Sequence, residues 1–392
     1  MSIKRSSFLE RLSRGFTLIE LMITFLIASV VMAAVFVMYT QTTKSFHREE
    51  AAIEMHSQLR FAMDNLKNDI RRAGFQSTIH SQKDVSRVCW TPPATDLLGL
   101  SINPDDGFVH LPGENKDVSP SSITLFGDYF SANAKGYYAF QVDSGGNVFL
   151  DPSDPGLAAM SQGEFLAMFR PNVRWLRVVT KDEKEWYSKI VLADYPNRRL
   201  TLASSPPASG YCLAGFGQGF VNPVGWIRYE IREDQRTAGL LAEGADIRNL
   251  GKSDLVRVEV REDGSAVDDT ALVIAEYVVD LQFYDFGMDQ TLSSSTTQIT
   301  HFPLVHNVAI PGGGGLLGTD GAVAQPNNLR FLTPKISVRT PHEDDEHPFE
   351  QRTGVYSPLD SFEVDLDLFG GARVNSIASR VDLRNFTLRR LK

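Results

Sequence analysis

Cysteine is almost missing from this 392-residue chain: Cys89 and Cys212 are the only two. They allow a single intramolecular pairing, and neither has the neighbours that would hold a reactive thiolate. Excess positive charge is missing too. Lys and Arg number 39 against 48 Asp and Glu, a net charge of -9, whereas phosphate binding needs a basic surface, so no nucleic acid contact is expected. No Ser-His-Asp grouping, GxSxG, paired-carboxylate or Walker pattern occurs. Gly215-Phe216-Gly217-Gln218-Gly219 lacks the strand and helix context of a dinucleotide loop. These absences exclude the common catalytic classes, and the expectation is a non-enzyme without a cofactor.

Acidic clusters are few and point to turns. His342-Glu343-Asp344-Asp345-Glu346-His347 spaces its histidines by five, not four, and lies between Pro341 and Pro348, which reads as a solvated loop rather than a zinc helix. Asp105-Asp106 and Asp151-Pro152-Ser153-Asp154 have turn chemistry. No EF-hand pattern accompanies them, and calcium is the competing reading there. No metal is expected.

Long hydrophobic runs reduce to one, FTLIELMITFLIASVVMAAVFVMY, residues 16–39. As a helix its 24 residues span roughly 36 Å, enough to cross a bilayer. Before it stand Lys4, Arg5, Arg11 and Arg14 against Glu10, a basic flank that stays cytoplasmic. The run is too long for a cleaved secretory signal, and no small-residue cleavage site follows. One helix therefore anchors the chain, with everything after about residue 45 outside the cytoplasm. Glu20 is the anomaly, since a carboxylate there costs roughly 2.5–3.5 kcal/mol unless partnered. Either it reaches the headgroups, or a cation meets it inside the bilayer.

Arg14-Gly15-Phe16-Thr17-Leu18-Ile19-Glu20-Leu21 resembles the cleavage and assembly motif of type IV pilins and type II secretion pseudopilins. The resemblance implies that prepilin peptidase cuts after Gly15, removing residues 1–15, and methylates Phe16. It also implies that Glu20 pairs with the N-terminal amine of a neighbouring subunit, the missing cation. The implied fold is α+β and type IV pilin-like: a long N-terminal helix over 16–74, transmembrane over 16–39, packed on a large antiparallel β-rich head over 75–392.

The residues beyond the membrane run fit that helix. From 40 to 72 there is neither Pro nor Gly, and Gly74 is placed for a left-handed cap. Ala52, Met55, Leu59, Met63, Leu66, Ile70 and Ala73 recur at steps of three and four, the stripe of an amphipathic helix. Asp69-Ile70-Arg71-Arg72-Ala73-Gly74-Phe75 resembles the helix ending of PilW-type minor pilins, and the J-type minor pseudopilin of type II secretion shares much of the helix pattern.

After Phe75, short β-branched and aromatic runs alternate with turn residues. Strands are expected over 122–130, 173–180, 188–193, 198–202, 224–232, 254–260, 271–286, 335–339, 361–368 and 379–389. Arg257, Glu259 and Arg261 alternate with Val256, Val258 and Val260, predicting one wet face and one packed face. Segments 225–232 (GWIRYEIR), 273–284 (VIAEYVVDLQFY) and 381–386 (VDLRNF) resemble pieces of the PilW and J heads. Residues 91–120 and 143–171 read as loop-rich, 287–330 as a mobile excursion, and the whole head as one elaborated β-domain. In an oxidising compartment Cys89 and Cys212 form either a disulfide, worth about 4–5 kcal/mol in the chain-entropy model, or two separate buried thiols.

The expected function is a minor, PilW-like type IV pilin taking part in pilus initiation or the tip complex. Implied partners are prepilin peptidase, other minor pilins, the major pilin, a large tip adhesin and the inner membrane. The implied location is a single pass through the inner membrane with a periplasmic head, then the pilus at low copy. Two readings compete: a J-type minor pseudopilin, and a pilus-borne adhesive or ligand-binding module using the loops at 91–120 and 287–330.

Overall fold

The computed structural model describes residues 17–81, 84, 87–89, 97–103, 120–131, 136–180, 183–204, 218–233, 252–292, 296–302, 329–341, 344–348, 361–362 and 370–388. The chain divides into two compact units, Met1–Glu54 and Met55–Lys392. Helix α1 runs over Leu18–Arg72, so 55 residues form one uninterrupted element. It ends where Gly74 takes a φ of +69°, a conformation that costs glycine nothing. The Gly74 N–H donates to the Phe126 carbonyl at 2.9 Å rather than back to the helix. A side chain at Gly74 would also meet Ile79 and Phe386.

In the second unit, Met55, Leu59, Ala62, Met63, Leu66 and Ile70 are the buried residues of α1, the apolar stripe expected from sequence. Each large member contributes about 1.5–3 kcal/mol by leaving water. Strands β1 (Leu100–Asn103), β2 (Ser122–Gly127), β3 (Tyr137–Val142) and β4 (Asn147–Leu150) are followed by short helices α2 (Pro155–Ala158) and α3 (Gln162–Met168). Then come β5 (Trp175–Thr180), β6 (Glu185–Asp194), β7 (Arg199–Leu202), β8 (Gly219–Glu233), β9 (Ser253–Val260) and β10 (Leu272–Ala275). All pair antiparallel.

Strand β8 belongs to two structures. Its residues 219–224 pair with β3 on one side and β5 on the other. Because β3, β4, β7, β6 and β5 pair in that order, the ring returns to β8 and closes as a six-stranded barrel. Tyr137, Val148, Leu176, Ile190, Leu200 and Val221 fill its interior together with Leu157 of α2 and Phe165 of α3. A barrel this small is filled by its own side chains. Closure brings the backbones so near at Gly219 that a Cβ there would collide with the Val179 carbonyl oxygen. The remainder of β8, 225–233, pairs with β2 and β9 and lies against the second half of α1.

A second sheet contains β11 (Val278–Leu292), β12 (Thr296–Phe302), β13 (Leu329–Arg339), β14 (Asp344–Pro348), β15 (Ser361–Phe362), β16 (Gly370–Ala378) and β17 (Val381–Asp382), with helix α4 (Arg384–Leu388) after it. The Met55–Ala73 stripe shares one core with Ile123, Ile227 and Leu255 of the first sheet and with Leu281, Ile336 and Val381 of the second.

Several expectations change. Strand β9 has no wet face: Val256, Val258 and Val260 pack with Phe126, Trp175 and Trp226, while Arg257 and Glu259 are held by ion pairs on the opposite side. The run 271–286 breaks at Tyr277, whose φ is +56°, giving β10 and β11. Among the described residues of 379–389, only Val381–Asp382 is strand, and a helix follows. The segment 143–171 holds β4, α2 and α3. Within 287–330, residues up to Leu292 continue β11 and pair with β12, and 303–328 lie outside the described residues.

Asp280 on β11 is buried and its Oδ1 has no hydrogen-bond partner. Burial pushes its carboxyl up to about 7, although Lys335 at 3.9 Å pulls the other way. The folded protein therefore binds the extra proton between the ordinary carboxylate pKa and about 7, and stability falls as pH rises through that window. Asp280→Asn is expected to flatten this slope and to raise the melting temperature at pH 8; an unchanged melting temperature–pH profile from pH 4 to 8 would contradict the assignment.

Candidate assembly site

At the start of α1, Thr17 and Glu20 form a reciprocal cap. The Thr17 N–H and hydroxyl both donate to Glu20 Oε2 at 2.9 Å, and the Glu20 N–H donates to Thr17 Oγ1 at 3.3 Å. This Thr-x-x-Glu arrangement satisfies helix-start donors that would otherwise lack partners. One turn on, the Thr24 hydroxyl donates to the Glu20 and Leu21 carbonyls at 2.7 and 2.9 Å, hiding its own polarity against the backbone. Both bonds to the Glu20 carboxylate fall on Oε2, and Oε1 has no partner among the described residues. The carboxylate is thus stabilised locally yet remains exposed for a further cation. Gly15 and Phe16, the expected cleavage and methylation positions, lie outside the described residues.

The side chains following Glu20 are apolar and uncovered. Leu18, Ile19, Leu21, Met22, Phe25 and Leu26 are exposed, and the pattern continues to Tyr39. By length and composition this helix can cross a membrane, and none of its apolar stretch is buried. An apolar surface of that extent demands lipid or other helices.

The other end of α1 is joined to the head by polar groups. Asp69 Oδ2 accepts from Arg257 Nε of β9 at 2.6 Å and from the Tyr229 hydroxyl of β8 at 2.8 Å. The Tyr129 hydroxyl donates to the Asp69 carbonyl at 3.0 Å, and the Arg72 guanidinium lies over the Tyr129 ring and donates to the Asp128 carbonyl. Burial pushes the Tyr129 and Tyr229 phenols up, and Asp69 adds to both shifts, so each remains a donor. Asn385 of α4 donates to the Arg71 and Ala73 carbonyls at 3.0 Å, completing the helix end. The segments 225–232 and 381–386, two of the three head pieces selected from sequence by resemblance, thus meet the helix ending at residues 69–74. Sequence reading missed the pairing of Tyr229 and Arg257 with Asp69. The available signal was an aspartate three residues after Leu66, at the edge of the apolar stripe.

The remaining candidates are dispersed. Cys89 is buried and disulfide-bonded, and Cys212 lies outside the described residues. Asp151 accepts from the Ser153 amide and hydroxyl at 2.8 and 2.7 Å. Asp154 accepts from the Gly156 and Tyr138 amides at 2.8 and 3.2 Å, so both acids serve their own turns. Asp105, Asp106, His342, Glu343 and 215–217 lie outside the described residues. Among the described residues no group of three or more His, Cys, Asp or Glu could hold a metal.

Asp69→Ala leaves Arg257 mostly buried without its carboxylate, a loss of about 3 kcal/mol. A correspondingly earlier urea midpoint is expected, measured on the detergent-solubilised protein by far-UV circular dichroism; Tyr229→Phe should cost about 1 kcal/mol.

A family model described as the prokaryotic N-terminal methylation motif matches residues 11–36. No curated protein and no solved structure matches the chain. The matched segment spans Arg11 and Arg14 of the basic flank, the Gly15–Phe16 junction, Glu20 and the apolar run as far as Phe36. With a long apolar helix and an antiparallel β-rich body behind that motif, the chain is α+β and is similar at its N-terminus to type IV prepilins.

Proposed function

We propose that this protein is a minor type IV pilin of the PilW type, cleaved after Gly15, methylated on Phe16 and built into the initiating or tip complex of a pilus. The observation that carries the reading is the prepilin motif on a helix whose apolar half has no cover of its own. Before assembly the bilayer covers it. After assembly the helices of neighbouring subunits do, and the N-terminal amine of one neighbour meets the open side of the Glu20 carboxylate. The head supports a low-copy position. A barrel and a second sheet are added to the sheet on α1, and such bulk would crowd a regular shaft. The Asp69-to-Phe75 ending, a structural knot in this chain, is the feature that favours PilW over the J-type pseudopilin.

Glu20→Val is expected to leave membrane insertion intact and to reduce recovery in sheared pili by roughly tenfold or more, the factor that corresponds to about 1.4 kcal/mol. Normal recovery would sink the pairing. A bulky residue at position 15 should block processing, read as retention of the unprocessed mass, whereas Gly15→Ala is expected to be processed more slowly than wild type. Deleting the gene should abolish pili; loss of exoprotein secretion with pili intact would select the pseudopilin reading. Immunogold labelling should mark filament tips, and labelling along the whole filament at major-subunit density would overturn the minor role.

A further inference from the structure

Between Thr40 and Glu54, helix α1 carries only two large apolar side chains, Phe46 and Ile53. They are seven residues apart, and Phe46 is seven residues after Tyr39. Within the apolar run any spacing is met, so the repeat becomes informative only here, where its surroundings turn polar. Seven residues make close to two turns, and the three side chains therefore form one row along the helix. Tyr39, Phe46 and Ile53 are 68%, 69% and 70% exposed.

Lipid does not reach the far end of this row. Phe46 stands about 10 Å beyond Tyr39, and Ile53 about 21 Å beyond it, at 1.5 Å per residue. Tyr39 closes a run already long enough to cross the hydrocarbon core, and headgroups add only roughly 5–8 Å on each side. Charge argues the same way. Lys44 and Arg48 are outnumbered by Glu49, Glu50 and Glu54, the reverse of the basic segment that anionic headgroups attract.

The row instead continues a surface that assembly already uses. The prepilin motif implies assembly with other pilins, and the apolar half of α1 then lies among their helices. Phe46 and Ile53 extend that surface two heptads past the lipid. A strict seven-residue repeat drifts by about 20° per heptad on a straight helix, so helices sharing it wind around each other left-handed. Glu49 is three residues after Phe46 and four before Ile53, and Glu50 is four after and three before. Such neighbours flank the row on its two sides. His47 Nδ1 lies 3.8 Å from Glu50, an exposed contact of little strength. A second copy in the same register would set these glutamates against their own counterparts, whereas Lys or Arg at that level complements them.

We propose that Phe46 and Ile53 are the docking row for the helix of a different pilin subunit, one that carries Lys or Arg opposite Glu49 and Glu50. The apolar side chains seat between those of the partner, and the glutamates select that partner over a second copy. This assignment presupposes the filament-subunit reading and identifies one neighbour by its charge.

The test places the photocrosslinker benzoylphenylalanine at position 46 or 53 of the full chain in its own host and maps the adducts by mass spectrometry. The expected adduct lies on the helix of another prepilin-class subunit, within one turn of a Lys or Arg. No adduct, or one to a second copy of this chain, to lipid alone or to a protein without a prepilin motif, overturns the proposal. Phe46→Ser/Ile53→Ser and Glu49→Lys/Glu50→Lys are each expected to cut recovery in sheared pili at least tenfold, with membrane insertion and melting temperature unchanged. Wild-type recovery of either variant overturns the docking row and leaves the minor-pilin reading intact. Adducts that meet the charge criterion but belong to a secretion filament would support the row and remove the pilus reading instead.

Discussion

A single helix has to satisfy two solvents. Over its first half α1 presents apolar side chains all round, which is stable only in lipid or among other helices. From Met55 onward only one stripe is apolar, and that stripe is buried under two β-sheets. The division sets the rest of the architecture. The head can attach only to the striped part, and the polar links that orient it (Asp69, Arg72 and the carbonyls of Arg71 and Ala73) lie in the last turns. Nothing polar interrupts the lipid-matched half except Glu20, the Tyr39 phenol at its far end and the Thr24 and Ser29 hydroxyls, which fold back onto the backbone.

Within the head, β8 carries the second constraint. One strand of 15 residues is both a stave of a closed barrel and the central strand of the sheet against α1. The buried Arg174–Glu259 pair connects the same two regions. Arg174 forks onto Glu259 of β9 while donating to the Ala167 and Met168 carbonyls at the end of α3. A buried pair of this kind adds little net stability relative to apolar packing, but breaking it is costly. It therefore serves to fix the barrel's orientation on the sheet.

Legibility from sequence followed the length and regularity of the signal. The helix was readable because its stripe repeats over five turns and Gly74 marks its end. Strand β9 coincides with an expected run for the same reason, whereas β6 and β13 contain the expected runs 188–193 and 335–339 but begin three and six residues earlier. Strands of four residues such as β1 and β4 are too short to show a period, and α3, at seven residues, reads as loop. The polarity of β9 misled for a physical reason: Arg257 and Glu259 alternate as a solvent face would, but each meets an opposite charge supplied from far along the chain. At the N-terminal end of α1, Glu20 was conspicuous because a charge in an apolar run is costly. Thr17, which caps it, looked ordinary, because a threonine next to a helix start has many uses.

One more consequence follows from the contacts of α4. Asn385 is 314 residues from Arg71, yet it supplies the hydrogen bonds that close the end of α1, and Phe386 fills the core beneath Gly74. Contacts so distant along the chain form late, because the intervening loop must first be ordered. The stalk is synthesised first but finished last. Until Asn385 and Phe386 have docked, the Arg71 and Ala73 carbonyls lack that donor and the stripe is only partly covered. Docking of α4 is thereby built in as the step that closes the end of α1.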